Sequence, residues 1–351
     1  MIVIGSDPHK RSYTFSAVGA ETGELRSSET VQATSAGHER LLGWGRGVDA
    51  ARVWAIEDCR HVSGKLERFL LARGERVVRV PPKLMAGRRR GLREAGKSDP
   101  IDALSVARAA LEEGVDTLPL ARLEGPAREV KLLLDHREDL VAERTRIQNR
   151  LRWLLHDRWP ELELPAGCLD RMVRLDRLAG RLARSTQDAD VRVMRHQIRR
   201  LRELVREAKA LERELLLLVR GLQPRLLELP GVGTLTAAKL IAEIAGIERF
   251  RSDAKLARLA GIAPIPASSG ARHRMRLHRG GNRQLNAAFH RIVVTQIRMH
   301  PPAQHYIARK IAEGKGKREA IRCLKRQLVR TIYTTMTPTP NQTPASALAL
   351  T

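Results

Sequence analysis

Short runs of alternating or continuous apolar residues open the chain. Ile2-Val3-Ile4, Tyr13 to Val18, Glu29 to Gln32, Arg52 to Ile56 and Glu75 to Val80 each read as a strand, the third being the weakest. Pro81-Pro82 stops the last of them, because proline has no amide to give a sheet. Helical spacing of apolar positions occupies Val62 to Arg73 and Pro100 to Glu113. Strands interleaved with helices predict an α/β domain over residues 1–118.

From Glu124 onward the period lengthens. Leu140, Ile147, Leu151 and Leu154 sit at heptad-like steps. After a gap bearing Pro and Gly, Met194, Ile198, Leu201, Val205, Ala208, Leu211, Leu215, Leu218 and Leu222 keep nearly the same rhythm. Two long heptad helices follow from this, packed against each other or against a second subunit, as a coiled-coil helical stalk over 119–222. Their outward positions carry Arg and Glu, which reads most simply as a solvated face.

At Leu229 the pattern changes again, and a helical C-terminal domain is expected over 223–333. Leu229-Pro-Gly-Val-Gly-Thr-Leu-Thr-Ala-Ala-Lys239 has the form of a helix-hairpin-helix-like turn. Gly231 and Gly233 would let the backbone bend so that amides from Thr234 onward face a phosphate, with Lys239 on the same helix. The plainer alternative is a tight turn between helices. Ala267-Ser268-Ser269-Gly270, a basic segment Arg272 to Arg279, Gly280-Gly281-Asn282 and a mostly helical run from Arg283 to Tyr333 come next. Residues 334–351, rich in Thr and Pro, lack the apolar content to fold and are expected to form a disordered tail.

Composition narrows the partner. The chain has 351 residues, enough for two or three domains, and 64 basic against 39 acidic side chains leave a net charge of +25. Only twelve of the basic residues are Lys, so 64 − 12 = 52 are Arg, and they recur from Arg11 to Arg330 rather than in a tail. Folded domains carrying such charge point to nucleic acid. Aromatic residues are 3% of the chain, too few for base-stacking platforms, so duplex backbone contacts are expected. Arg272, Arg274, Arg276, Arg279 and Asn282 join Gly231, Gly233, Thr234 and Lys239 as candidate nucleic-acid-binding residues. Cys59, Cys168 and Cys323 are too scattered for a disulfide framework or a zinc site, and no histidine pair has zinc-enzyme spacing. The longest apolar runs, such as Leu215 to Val219, are far below the ~20 residues of a spanning helix. With no basic segment before Ile2, a soluble, cytoplasmic, nucleoid-associated protein with no membrane contact is expected.

In so basic a chain the acids at strand ends are informative. On strand alternation Val3, Gly5 and Asp7 share a face, which puts Asp7 just past the end of the first strand. Glu57 closes the fourth strand at the equivalent place, and Asp99 and Asp102 open a helix three residues apart. Taken singly, Asp7 is a turn residue before Pro8 and Asp99 is a helix cap, with Pro100 and Asp102 completing the helix start. Taken together, four carboxylates converge at one end of a mixed sheet. Such a cluster needs cations, and two oxygen-preferring Mg²⁺ ions would suit phosphoryl transfer in a nuclease core.

The residues that carry this pattern also resemble a known family. Gly5-Ser6-Asp7-Pro8-His9-Lys10, Ala55-Ile56-Glu57, Val80-Pro81-Pro82-Lys83, Gly96-Lys97-Ser98-Asp99-Pro100-Ile101-Asp102-Ala103, Gly261-Ile262-Ala263-Pro264, Ser269-Gly270 and Arg279-Gly280-Gly281-Asn282 are similar to motifs of the DEDD transposases of the insertion-sequence-110 group. The similarity spans residues 1 to about 330. It departs at Arg279-Gly280-Gly281, where the family usually has Lys-Arg-Gly or Lys-x-Gly, a change that touches substrate grip.

The resemblance implies an N-terminal RuvC-like (ribonuclease H-like) domain supplying Asp7, Glu57, Asp99 and Asp102, then a coiled coil, then a transposase domain whose nucleophile is Ser269. It further implies a covalent phosphoserine on double-stranded DNA, Mg²⁺, a non-coding bridge RNA pairing with target and donor, and a site shared between subunits of a homodimer or homotetramer. Two other readings remain: a RuvC-like DNA invertase or junction resolvase, and a non-catalytic DNA-binding architectural protein in which the acids are caps.

Overall fold

The computed structural model describes residues 1–57, 60–82, 84, 98–116, 118, 120–121, 125–267, 275–278 and 281–338. Residues 334–338 aside, the expected tail lies outside the described residues, as do Ser268, Ser269, Arg272, Arg274 and Arg279. Two compact units are present. One combines Met1–Gly125 with Ile244–Thr351, and the other is Pro126–Glu243.

The first unit begins with strands β1 (Ile2–Pro8), β2 (Ser12–Gly19), β3 (Leu25–Gln32), β4 (Arg52–Glu57) and β5 (Val77–Val80). They form one sheet in the order β3-β2-β1-β4-β5. β2 runs antiparallel to β1 and β3, whereas β4 is parallel to β1 and β5. This order and polarity are those of the ribonuclease H-like sheet that the resemblance implies. Helices α1 (Ser35–Val48) and α2 (Arg60–Ala72) belong to one face, and α3 (Asp99–Glu113) covers the other. Alternation along the strands divides the core accordingly. Ile2, Ile4, Trp54 and Ile56 are buried in one cluster with Leu41 and Leu66. Val3, Val53, Ala55, Val78 and Val80 are buried in a second with Val106, Ala107 and Ala110 of α3.

Helix α1 was not expected from the sequence. Gly43, Gly45 and Gly47 lower helix propensity, but tertiary packing overrides it. The Thr34 hydroxyl caps the helix by accepting from the Gly37 amide at 3.1 Å, and a Cβ at Gly45 would sit 2.7 Å from the Trp54 ring. Glycine there lets the helix lie on the buried indole.

The second unit contains α4 (Pro126–Arg158), α5 (Met172–Ala183), α6 (Ala189–Leu222) and α7 (Thr234–Ile244), whose last residue belongs to the first unit. α4 and α6 pack on each other within the chain and antiparallel. Arg137 donates to Glu212 and Arg200 to Glu143, so residue numbers fall on one helix as they rise on the other. The heptad leucines face inward, with Leu140, Leu151, Met194, Ile198, Leu201, Val205, Ala208 and Leu215 all buried. The gap between the heptads is not featureless. It forms α5, whose Leu175, Leu178 and Leu182 complete the same core. Lys131, near the start of α4, contacts Glu243, at the end of the unit, at 3.0 Å, so the chain enters and leaves at one end. Burial alone would lower the Lys131 pKa, but Glu243 and Asp135 outweigh it and the net shift is upward.

The rest of the first unit comprises α8 (Asp253–Leu259), a short hairpin of β6 (Pro264–Pro266) and β7 (Met275–Leu277), and α9 (Arg283–Met299), α10 (Pro301–Ala312) and α11 (Lys317–Met336). Within that unit Arg258 pairs with Glu113 of α3, and Arg249 donates to the Leu120 carbonyl at 3.2 Å. No described helix is long and apolar enough to cross a membrane.

Two outcomes are expected from this packing. A Cβ at Gly5 would run into the backbone oxygen of Ala103 and the backbone nitrogen of Ala107, neither of which can rotate away. Gly5→Ala should therefore destabilise by about 1–3 kcal/mol, the usual range for overpacking, seen as a lower Tm. Lys325 of α11 is buried, donates to Asn286 Oδ1 at 2.6 Å, and is pushed by burial from 10.5 down to about 8. Its folded pKa lies below its unfolded one, so the penalty for burying the ammonium is complete below pH 8 and is relieved as pH rises toward 10.5. Denaturant titrations of wild type and Lys325→Met should show a stability difference that shifts in favour of wild type across that window; a difference independent of pH would refute the assignment.

Candidate active site

The acidic end of the sheet is built from β1, β4 and the start of α3. Asp7 is not in a turn. It lies within β1, paired with Thr14 of β2, and is 7% exposed. Ser6 pairs with Ile56 in parallel register, so Asp7 and Glu57 are the next residues along adjacent strands. Both alternate onto the face that α3 covers, the face of Val3, Gly5, Val53 and Ala55. Glu57 ends β4 opposite Val80 and is half-buried.

Asp99 does not cap α3 either. Ser98 is the N-cap, with extended backbone at φ −141° and ψ 150°, which moves Asp99 to the first helical position and Pro100 to the second. The sequence expectation was one residue out, because Ser98 also accepts the cap role and proline is tolerated anywhere in the first turn. The Asp99 carboxylate is thereby released from capping. Asp102 follows in the first turn, 3% exposed, its amide donating to the Ser98 carbonyl at 3.0 Å. Ser16 of β2 approaches the Pro100 carbonyl at 3.4 Å and ties this helix start to the sheet.

Among the described residues, Asp7, His9 and Asp99 place one ligand atom each within 4.8 Å of one another. His9 Nδ1 lies 3.6 Å from Asp7 Oδ2 and 4.0 Å from Asp99 Oδ2. Sequence reasoning missed His9 as a site residue. The signal was its place two residues after Asp7, just beyond the end of β1. Glu57 and Asp102 are not part of this closest group, although β4 and the first turn of α3 carry them toward the same end of the sheet. Two carboxylates and an imidazole, with two more carboxylates on the flanking elements, form an oxygen-rich donor set that fits Mg²⁺, with His9 the one nitrogen donor.

The candidate phosphate contacts fare differently. Gly231, at φ +79°, makes the turn before α7, and Thr234 is the first residue of that helix. The Gly233 amide, however, donates to the Thr236 hydroxyl at 2.9 Å instead of standing open to a phosphate. Lys239 is a correction. It is buried, with its ammonium 2.7 Å from Glu138, because the apolar face of α7 points the side chain into the helical unit. Asn282 is a second one: its side-chain oxygen caps α9 by accepting from the Leu285 amide at 3.0 Å, and its own amide donates to Leu259. Arg276 of β7 is exposed.

A family model for the DEDD transposases of IS110-type elements matches residues 4–160, and a model described as transposase of the IS116/IS110/IS902 family matches residues 223–308. The chain belongs to the IS110 family of DEDD transposases. Relatives of this transposase agree over most of its length. The 44.8 kDa protein of insertion element IS116 from Streptomyces clavuligerus is 28% identical over 95% of this chain and 94% of its own. The 43.6 kDa protein of IS110 from Streptomyces coelicolor is 29% identical over 68% of this chain and 70% of its own. The 42 kDa protein of IS900 from Mycobacterium paratuberculosis is 26% identical over 80% of this chain and 81% of its own. Among solved structures, Thermus thermophilus RuvC in complex with a Holliday junction substrate aligns with 34% of this chain and 99% of its own, at 16% identity and a TM-score of 0.27. RuvC of the same organism in another structure gives 18% identity and a TM-score of 0.28.

The donor set makes a direct expectation about metal. Calorimetric titration of the transposase with Mn²⁺ or Mg²⁺ should show binding that Asp7→Asn weakens at least tenfold, since a ligand charge at a buried position is lost. Equal affinity in the variant would exclude Asp7 as a ligand.

Proposed function

We propose that this transposase cuts and rejoins double-stranded DNA at the ends and target of its own insertion element, with Asp7, Glu57, Asp99 and Asp102 as metal-holding acids and Ser269 as nucleophile. The observation that carries the reading is the grouping of Asp7, His9 and Asp99 at the end of β1. Two Mg²⁺ ions held there would neutralise the carboxylates and would supply charge stabilisation for the attacking and leaving oxygens. Asp7, Glu57, Asp99 and Asp102 would hold that site, with His9 beside Asp7 and Asp99 as its one nitrogen donor.

Ser269 Oγ attacks phosphorus. One Oγ–P bond forms, one P–O ester bond of the strand breaks, the serine proton goes to a carboxylate of the cluster, and the departing oxygen takes up a proton. The number of ester bonds is unchanged, so reversal with a new strand end rejoins DNA without an added energy source. Arg272, Arg274, Arg276 and Arg279 grip the scissile phosphate and its neighbours. In keeping with the family resemblance, a non-coding bridge RNA selects target and donor, and two or four copies assemble the complete site in the cytoplasm, at the nucleoid.

A suicide substrate tests this. Wild type should form a covalent protein–DNA adduct, Ser268→Ala should keep it, and Ser269→Ala should lose it; Asp7→Ala should abolish strand cleavage while DNA binding persists. Cleavage without an adduct would indicate a hydrolytic resolvase. Binding with no metal-dependent cleavage at all would indicate an architectural protein.

A further inference from the structure

The 34-residue helix α6 carries nine basic and five acidic side chains, and they are not mixed evenly around it. Arg192, Arg199, Arg206, Arg213 and Arg220 recur every seven residues, and all five are exposed. Residues seven apart on an α-helix lie almost above one another, drifting about 20° per heptad, so these arginines form one gently winding row. At about 1.5 Å per residue the row is ~42 Å long with a guanidinium every ~10.5 Å. Arg195, Arg202 and Lys209 form a second heptad row directly beside it.

The ridge stands apart from the charges that pair across the helical unit. Arg200, one position from Arg199, is held by Glu143 of α4 and by Glu203. Arg137 of α4 is held by Glu212. Glu203, Glu207 and Glu214 fall on the opposite flank of the exposed surface, where Glu207 meets His136. None of the five ridge arginines has an ion-pair partner among the described residues. A solvated face would be expected to alternate signs for self-neutralisation. Here the acids are set to one side and a continuous basic strip is left over.

We propose that this ridge binds the phosphate backbone of double-stranded DNA, independently of sequence, and serves as an anchoring surface of the helical unit. The evenly spaced guanidiniums suit a regular polyanion. The ridge contributes no aromatic side chain on which unstacked bases could rest, which favours a duplex over a single strand. Each guanidinium that reaches a phosphate displaces condensed counterion, so affinity gained there is strongly salt-dependent. The proposal rests on the reading of the chain as a DNA recombinase, but it is tested by binding alone.

The experiment compares the full-length wild type with Arg199→Gln/Arg206→Gln/Arg213→Gln and with a charge-matched control, Arg128→Gln/Arg171→Gln/Arg225→Gln, whose three positions are also exposed. Affinity for a 30-base-pair DNA duplex of arbitrary sequence, and for an RNA duplex of equal length, is measured from low to physiological salt. The ridge variant should keep the wild-type Tm, lose at least tenfold in DNA affinity near ~0.15 M salt, and show a log–log salt slope shallower by about 2.7, or 0.9 for each of three lost contacts. The control should lose much less. An equal loss in the control, an unchanged slope, or a loss confined to the RNA duplex would each overturn the proposal. Cleavage by Asp7→Ala would defeat the recombinase reading separately, without touching these slopes.

Discussion

Strand β1 and helix α3 meet backbone to backbone. No side chain separates them at Gly5, and the helix is lined there with Ala103 and Ala107, so the distance is set by main-chain atoms that cannot repack. Two residues further along the strand comes Asp7, and one turn before Ala103 on the helix comes Asp99. The proximity of the two carboxylates follows from that contact. Placing charges of like sign side by side, one of them buried, is unfavourable in an apolar setting, so this contact does not serve stability.

How much of this was legible in the sequence depended on whether local pattern or tertiary packing decided each element. The strands were read correctly in order because alternation of apolar residues is imposed by the two-faced sheet, although β1 runs on through Asp7 to Pro8 and β3 begins at Leu25, before the readable part. The heptads of α4 and α6 were legible for the same reason, but whether they met each other or a second copy was not. That answer came from cross-helix pairs such as Arg137 with Glu212, which have no sequence signature. Helix α1 was hidden by its glycines, which read as breakers, although one of them, Gly45, makes room for the Trp54 ring. At the site, Asp7 and Asp99 were found by position, whereas His9 was passed over as one ring without a spaced partner. Lys239 and Asn282 illustrate the converse error. In a chain this basic any polar side chain near a turn looks like a phosphate ligand, and only burial reveals that one is a strut and the other a cap.

The described arginines have several destinations. Some lie inside the helical hairpin, where planar guanidiniums reach carboxylates across the seam, as Arg200 does with both oxygens of Glu143. The Glu143 carboxyl is accordingly held below its usual range by that hydrogen bond. Exposed pairs of this kind contribute about 0–1 kcal/mol each, so they set register more than stability. Others pair within the first unit, as Arg79 does with Glu67, and others again, such as the row on α6, face solvent, where a net +25 repels itself until a polyanion is present.

The helical unit is an excursion from the middle of another one. Residues Pro126–Glu243 leave and rejoin a body made from both ends of the chain. On the ribosome, the sheet and α3 have emerged well before the C-terminal segment exists, and synthesis of the excursion alone takes roughly 6–24 s at the usual 5–20 residues per second. During that interval Arg258 has not yet been made to meet Glu113, and the face of the N-terminal domain that will receive it waits uncovered. Translation thus completes the N-terminal part of the first unit early and its C-terminal part late, and a chain released before Ile244 has the strands and α3 but none of the segment whose Arg258 pairs with Glu113.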